Sequence, residues 1–232
     1  LCDHRREAYF VMMDLLSRTD YRIINSEMEP DVWDDAALKR VIGASISLQA
    51  AMTSLKENVI FQWSPVADYI RFGRAAFKVL RDEYGAEWDG FMGLYQRALE
   101  FLETVDESIL PRTVIHNDYN PRNVAMSNDD HVVVYDYELA RIDVPQRDVI
   151  EFLSFALSSE NLTMSFSELM AFYRAELGAE DNHWDTTLKF ALSKYIVTRV
   201  SLYMLGNQIT RYPFLNQVLK NCVLLGQELD LS

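Results

Sequence analysis

The segment that decides the fold reads Thr-Val-Ile-His-Asn-Asp-Tyr-Asn-Pro-Arg-Asn-Val-Ala-Met and spans residues 113–126. Its apolar ends, residues 113–115 and 124–126, have the length and the β-branched content of short strands. Polar residues with turn chemistry fill the interval between them, so this interval is predicted to be a loop. A third apolar run at residues 132–137 follows a turn at residues 127–130 and predicts a third strand. The sequence therefore predicts a small β region that presents a polar loop.

Helical patterns surround this β region on both sides. Before it, apolar residues recur every three or four positions up to Leu55, after Asp34 or Asp35, either of which is a suitable N-terminal cap. After it, helical patterns return at Val149. The chain has no internal repeat and no Pro/Gly-rich linker, so we predict one α+β domain, mainly α, with a small β insert. The other predicted helices cover residues 64–84, 88–105, 165–177, 184–206 and 214–229.

The composition is that of an ordinary globular protein and excludes several other classes. Of the 232 residues, 49% are hydrophobic, and no stretch approaches the roughly 18 consecutive apolar residues of a membrane span. The formal net charge of -13 argues against a nucleic-acid-binding surface, which needs clustered Lys and Arg. Cys2 and Cys222 lie near opposite ends of the chain and fit neither a disulfide framework nor a metal site. We therefore expect no nucleic-acid or membrane partner and a reducing, cytoplasmic location.

Ionisable and amide side chains concentrate in the β region. Asp118 and Asn123 are five residues apart in the loop, and Asp136 follows thirteen residues later at the end of the third predicted strand. Transfer of a phosphoryl group from a nucleotide requires such a set, because a carboxylate orients the acceptor hydroxyl and takes its proton. An amide oxygen and a second carboxylate hold the magnesium ion that neutralises the phosphates. A lone Asp-Asn pair in a loop usually serves a turn or a cap, so the prediction depends on the order, the spacing and the β context together.

The pattern His-x-Asp-x-x-x-x-Asn, followed by a strand that ends in Asp, resembles the catalytic core of the protein-kinase-like fold. It is most similar to the aminoglycoside phosphotransferase and choline kinase-like family, whose loop usually reads His-Gly-Asp-x-x-x-x-Asn and whose later motif reads Ile-Asp-Trp-Glu. The corresponding segments here are residues 116–123 and Tyr-Asp-Tyr-Glu at residues 135–138. Asn117 stands in place of the family's common Gly, and Glu138 completes the later motif without a certain role. The fold implied is the helical C-terminal lobe of a protein-kinase-like enzyme, with the catalytic loop in the β insert.

The resemblance implies a role for each matching residue. Asp118 would be the catalytic base, and Asn123 and Asp136 would bind Mg²⁺. His116 would support the catalytic loop, and Asp148 would brace it from the start of a helix. The nucleotide implied is ATP, and GTP is not excluded.

The first residues resemble the family's hinge, whose backbone groups bind the adenine ring. Residues 1–16 are expected to be the end of a hinge region, and residues 17–232 the helical phosphotransferase lobe. No glycine-rich loop and no strand-borne Lys precede the hinge in this sequence. We therefore expect the parent protein to carry an N-terminal lobe upstream, and the isolated chain to transfer phosphate poorly. The candidate hinge positions are Met12, Met13, Asp14 and Leu15.

The function implied is transfer of the γ-phosphate of ATP, with Mg²⁺, to a hydroxyl of a small molecule. The negative net charge would favour an amine-bearing acceptor. A nucleotide-binding pseudokinase or regulatory module is the alternative, although such proteins usually lose the base or a metal ligand. A protein kinase is disfavoured, because the third strand is not followed by Asp-Phe-Gly and the chain has no Ala-Pro-Glu segment.

Overall fold

The computed structural model describes residues 2–3, 8–9, 21–23, 30–55, 63–178 and 183–231. Helices dominate these residues, and an Asp34 cap begins the first of them, where Asp34 Oδ1 accepts a hydrogen bond of 2.8 Å from the Ala37 amide. The α-helices are α1 Asp35–Leu55, α2 Val66–Tyr84, α3 Asp89–Thr104, α4 Gln146–Ala156, α5 Ser159–Leu177, α6 Trp184–Tyr195, α7 Ser201–Asn207 and α8 Leu215–Glu228.

Short strands in the described residues form three small antiparallel sheets, ordered β1-β2, β3-β5-β6 and β4-β7. Val124 lies opposite Val134 in the β5-β6 pair, and Ile115 lies opposite Arg141 in the β4-β7 pair. The loop between β4 and β5 therefore begins in one sheet and ends in another. The strands are β1 Cys2–Asp3, β2 Ala8–Tyr9, β3 Tyr21–Ile23, β4 Thr113–Ile115, β5 Val124–Ser127, β6 Val132–Val134 and β7 Arg141–Asp143.

The predicted fold class, α+β and mainly α with a small β insert, is confirmed. The third predicted strand is shorter than expected: β6 ends at Val134, and Asp136 adopts a left-handed backbone with φ 68° and ψ 60°, which cannot continue a strand. Strands β3 and β7 were not predicted, because each has three residues and includes an arginine. The predicted hinge positions, Met12 to Leu15, lie outside the described residues.

Two helices differ from the predicted ones. Helix α5 begins at Ser159 rather than near residue 165, because Ser158 caps it by accepting a hydrogen bond of 3.3 Å from the Asn161 amide. The predicted helix over residues 184–206 is interrupted by a π-helical turn at Ile196–Val200. Among the described helices, none combines the length and the apolar character needed to cross a membrane.

Candidate active site

Helix α4 holds the start of the loop through Asp148, which lies in its first turn and is completely buried. Its two carboxylate oxygens accept hydrogen bonds of 2.8 Å from the His116 amide and 2.9 Å from the Asn117 amide. Burial raises the pKa of Asp148 to about 6, and the interactions with His116, Asn117 and Arg147 oppose that rise. Asp148 therefore binds the backbone of the loop from a position 31 and 32 residues later in the sequence.

His116 connects the loop to the end of strand β6. Its Nδ1 accepts a hydrogen bond of 3.3 Å from the Asp118 amide, so that nitrogen carries no proton. The proton is then on Nε2, which donates to the Tyr135 carbonyl oxygen at 2.9 Å. The imidazole is completely buried. It orients the peptide of Asp118 relative to the segment that carries Asp136.

The Asp118 carboxylate is held by two amide side chains of its own loop. Asn120 Nδ2 donates to Asp118 Oδ1 at 3.1 Å, and Asn123 Nδ2 donates to Asp118 Oδ2 at 2.9 Å. The Asp118 side chain keeps 17% of its surface exposed. Each carboxylate oxygen has two lone pairs, so these bonds leave the carboxylate able to accept a further hydrogen bond. This is the state expected of a base that receives a proton from an incoming hydroxyl.

Asn123 and Asp136 lie at the same end of the β5-β6 pair. The Asn123 carbonyl oxygen accepts a hydrogen bond of 3.1 Å from the Tyr135 amide, and Asp136 is the next residue. Asn123 Nδ2 is used by Asp118, which leaves the amide oxygen Oδ1 as the group available to a cation. Asp136 is exposed, and its backbone is left-handed, a conformation that Asp adopts more readily than most non-glycine residues.

The donor set fits a magnesium ion better than a metal held by protein ligands alone. In the described part of the chain, no group of three or more His, Cys, Asp or Glu side chains could hold a metal. Mg²⁺ usually takes one or two protein oxygen ligands together with substrate phosphates and water. The amide oxygen of Asn123 and the carboxylate of Asp136 are hard oxygen donors of this kind.

The two remaining motif positions differ in how far the structure involves them. Asn117, which replaces the usual Gly, has φ 62°, and its Nδ2 donates to the Leu139 carbonyl oxygen at 3.1 Å. The left-handed angle explains why Gly or Asn suits this position. Glu138 is exposed in the 3-10 helix Tyr137–Leu139 and has no hydrogen bond or ion pair among the described residues.

Arg199 reaches the loop from the C-terminal part of the chain and was not predicted. Its Nη2 donates to the Asn117 carbonyl oxygen at 2.5 Å and lies 3.5 Å from Asp118 Oδ1. Its Nε lies 3.9 Å from Oε1 of Glu151, a completely buried residue of α4. No motif in the sequence marks these two residues, because the contacts of Arg199 with Asp118 and with Glu151 arise from the packing of helices.

A buried ion pair supports the β4-β7 sheet from which the loop begins. Lys194 of α6 is paired with Asp143 of β7, and the Lys194 ammonium lies 4.0 Å from the centre of the Tyr69 ring and 4.9 Å from that of Trp63. Burial lowers the pKa of Lys194 to about 8, and Asp143 opposes this effect. Asp143 lies opposite Thr113 in the register of the sheet. The pair therefore connects helix α6 to the sheet from which the loop begins.

Comparison with known proteins identifies the family of the chain. The family model of the phosphotransferase enzyme family, APH, matches residues 6–186, which is most of the chain. The chain therefore belongs to the phosphotransferase enzyme family, and its class is that of an enzyme that transfers phosphoryl groups. The matched region includes the loop and Asp148 but ends before Arg199. A search of curated proteins found no match.

The burial of Asp148 predicts a characteristic pH dependence of stability. The pKa of Asp148 is about 6 in the folded protein and near 3.8 when the carboxyl is fully hydrated, so the folded state binds more protons between these values. The contribution of Asp148 to the free energy of unfolding is therefore fully present below pH 3.8 and is lost as the pH rises through 6. Urea unfolding of the wild type and Asp148→Asn at several pH values measures the difference between them. That difference should fall by on the order of 1–3 kcal/mol from pH 4 to pH 7.

Asp185→Asn is the control, because it removes one exposed carboxylate from the first turn of α6. Subtracting its pH dependence corrects for the loss of one acidic charge. A difference between wild type and Asp148→Asn that stays constant across the range would contradict the prediction.

Proposed function

We propose that the protein transfers the γ-phosphoryl group of ATP to a hydroxyl group of a small molecule, with Mg²⁺ as the required cofactor. The observation that supports this most directly is the hydrogen bond of 2.9 Å between Asn123 Nδ2 and Asp118 Oδ2. It holds the proposed base beside the proposed metal ligand, with the Asn123 amide oxygen still available. Membership in the phosphotransferase family supports the reaction class.

Asp118 performs the proton transfer in the proposed reaction. Its carboxylate accepts a hydrogen bond from the acceptor hydroxyl and directs the hydroxyl oxygen at the γ-phosphorus. A new bond forms between that oxygen and phosphorus, and the bond from phosphorus to the bridging oxygen breaks, so ADP leaves with the electron pair. The hydroxyl proton passes to Asp118. Mg²⁺ bound by Asn123 and Asp136 would supply charge neutralisation at the phosphates.

The remaining parts of the proposal concern the ligands and the context. Residues 12–15 are proposed to contact the adenine ring. An acceptor that carries an amine agrees with the net charge of -13. We propose the cytoplasm as the compartment, where ATP is abundant and where a buried free thiol such as Cys222 stays reduced.

Metal dependence provides the test of this proposal. The full gene product is mixed with ATP and a panel of amino alcohols, sugars and aminoglycosides, with Mg²⁺ or with excess EDTA. Turnover is expected with Mg²⁺ for at least one acceptor and is expected to be lost with EDTA. Asp136→Asn should raise the half-saturating Mg²⁺ concentration by at least about 10–100-fold, because Asp136 is a proposed ligand and loss of a residue that only supports a ligand already has an effect of that size.

Glu160→Gln is the matched control, because it removes an exposed carboxylate that lies in the first turn of α5 and outside the motif. It should change the Mg²⁺ requirement little. Magnesium-dependent ATP binding without turnover on any acceptor would favour the nucleotide-binding module. Turnover that is unaffected by EDTA would contradict the metal assignment.

A further inference from the structure

The helical stretch from Trp184 to Asn207 changes its winding next to the loop. Helix α6 ends at Tyr195, the π-helical turn Ile196–Val200 follows, and helix α7 continues from Ser201. At the end of this turn the Ser201 amide donates to the Ile196 carbonyl oxygen, five residues earlier. Such π-helical turns are rare and are found frequently at functional sites, because they redirect side chains relative to a regular helix. Arg199 is the charged residue within this turn.

The guanidinium of Arg199 contacts two loop residues, Asn117 and the proposed base Asp118. The hydrogen bond to the Asn117 carbonyl oxygen fixes the peptide that joins Asn117 to Asp118, whose amide donates to His116. The same Nη2 lies 3.5 Å from Asp118 Oδ1. Arg199 and Asp118 side chains are each 17% exposed, so both keep access to the space where a substrate would enter.

Arg199 also lies near the buried carboxylate of Glu151, which has a second cationic partner, Arg147. Glu151 Oε2 accepts a hydrogen bond of 2.8 Å from Arg147 Nη1, and Glu151 Oε1 accepts one of 3.3 Å from the Tyr203 hydroxyl. Arg199 Nε lies 3.9 Å from Glu151 Oε1. A buried carboxylate between two guanidinium groups satisfies the need of each charge for a partner. This chain of charges restrains the Arg199 side chain before any substrate binds.

We infer that Arg199 is a positioning residue of the phosphoryl-transfer reaction, which orients Asp118 through its carboxylate and through the Asn117 peptide. This inference rests on the proposed function, in which Asp118 is the base. The two amide donors, Asn120 and Asn123, belong to the loop itself and move with it. Arg199 belongs to the helical part of the protein and fixes the loop relative to that part. The guanidinium is suited to this task, because its planar group donates in several fixed directions and stays charged at all relevant pH values.

The test compares Arg199→Met, Arg199→Lys and Arg199→Ala in the full gene product, with kcat and KM for both substrates. Arg199→Met should lower kcat by about 10–100-fold, because a small misplacement of a reacting group costs factors of this size. The KM for ATP should change by less than about threefold, since the binding of the ATP phosphates does not depend on the orientation of Asp118. Arg199→Lys should recover part of the loss. Added guanidinium, at concentrations far below those that unfold proteins, should restore activity to Arg199→Ala.

Thermal unfolding of each variant separates positioning from folding, and Arg71→Met is the control for loss of an exposed arginine, since the Arg71 side chain is 81% exposed. A kcat for Arg199→Met within a factor of about two of the wild type overturns the inference, because that is below the expected effect. An equal loss in the Lys and Met variants without guanidinium rescue also overturns it. If Asp118→Asn retains turnover, both the proposed base and this inference are overturned. If Asp118→Asn loses turnover while Arg199→Met stays fully active, only this inference is overturned.

Discussion

Asp118→Asn is expected to lower kcat by about 10²–10⁴-fold, the usual contribution of a general base. The substitution keeps the size of the side chain and leaves an oxygen that can accept a hydrogen bond from the acceptor. It removes the ability to take the proton, because an amide is not basic. The affinity for the nucleotide should change little, because Asp118 faces the acceptor in the proposed reaction. Steady-state kinetics with the best acceptor and isothermal titration with Mg²⁺ and ATP measure the two quantities.

Asp129→Asn is the appropriate control, since Asp129 is an exposed aspartate in the turn between β5 and β6. It should retain the turnover of the wild type. One further comparison excludes a folding defect: the melting temperature of Asp118→Asn should stay close to that of the wild type. If Asp118→Asn retained more than about a tenth of the wild-type kcat, a loss well below the range for a general base, another group would have to accept the proton.

The second large effect is expected for stability. Lys194→Met should lower the free energy of unfolding by about 3–5 kcal/mol, because it leaves a buried carboxylate without its counter-charge. Asp143 is completely buried, and Lys194 is 2% exposed. The ammonium is protonated at pH 7, because the pKa of Lys194, lowered by burial to about 8, remains above that pH. Urea unfolding at pH 7 measures the loss.

Two further variants identify the cause of the loss. Lys220→Met removes an exposed lysine from α8 and should change stability by less than about 0.5 kcal/mol. The double variant Lys194→Met with Asp143→Asn should be more stable than Lys194→Met alone, because the unpaired charge is then absent. Equal stability of the single and double variants would mean that lost packing against Tyr69 and Trp63, rather than the ion pair, causes the effect.

Local chemistry explains why much of the fold could be predicted. The helices α1, α2 and α3 follow from apolar residues at helical spacing, and the strands that flank the loop follow from short β-branched runs. The composition of residues 116–123 likewise predicts a loop, and the left-handed angle of Asn117 is one that Asn tolerates. Strands β3 and β7 carry too little local signal, because each has only three residues. Their pairing partners also lie far away in the sequence, so the pairing itself could not be predicted.

The motif of the candidate site could be predicted from the sequence, whereas most of the contacts that hold it could not. The order His116, Asp118, Asn123 and Asp136 is a property of the amino-acid sequence, so the motif can be identified from the sequence alone. The contacts that hold these residues depend on long-range packing. Helix α4 brings the Asp148 carboxylate to the loop backbone, a contact that only the family resemblance led us to expect. The π-helical turn brings Arg199 to Asp118, and this contact was not predicted. Spacing along a chain specifies which groups can act together locally, whereas contacts between distant residues depend on how helices and sheets bury their apolar faces.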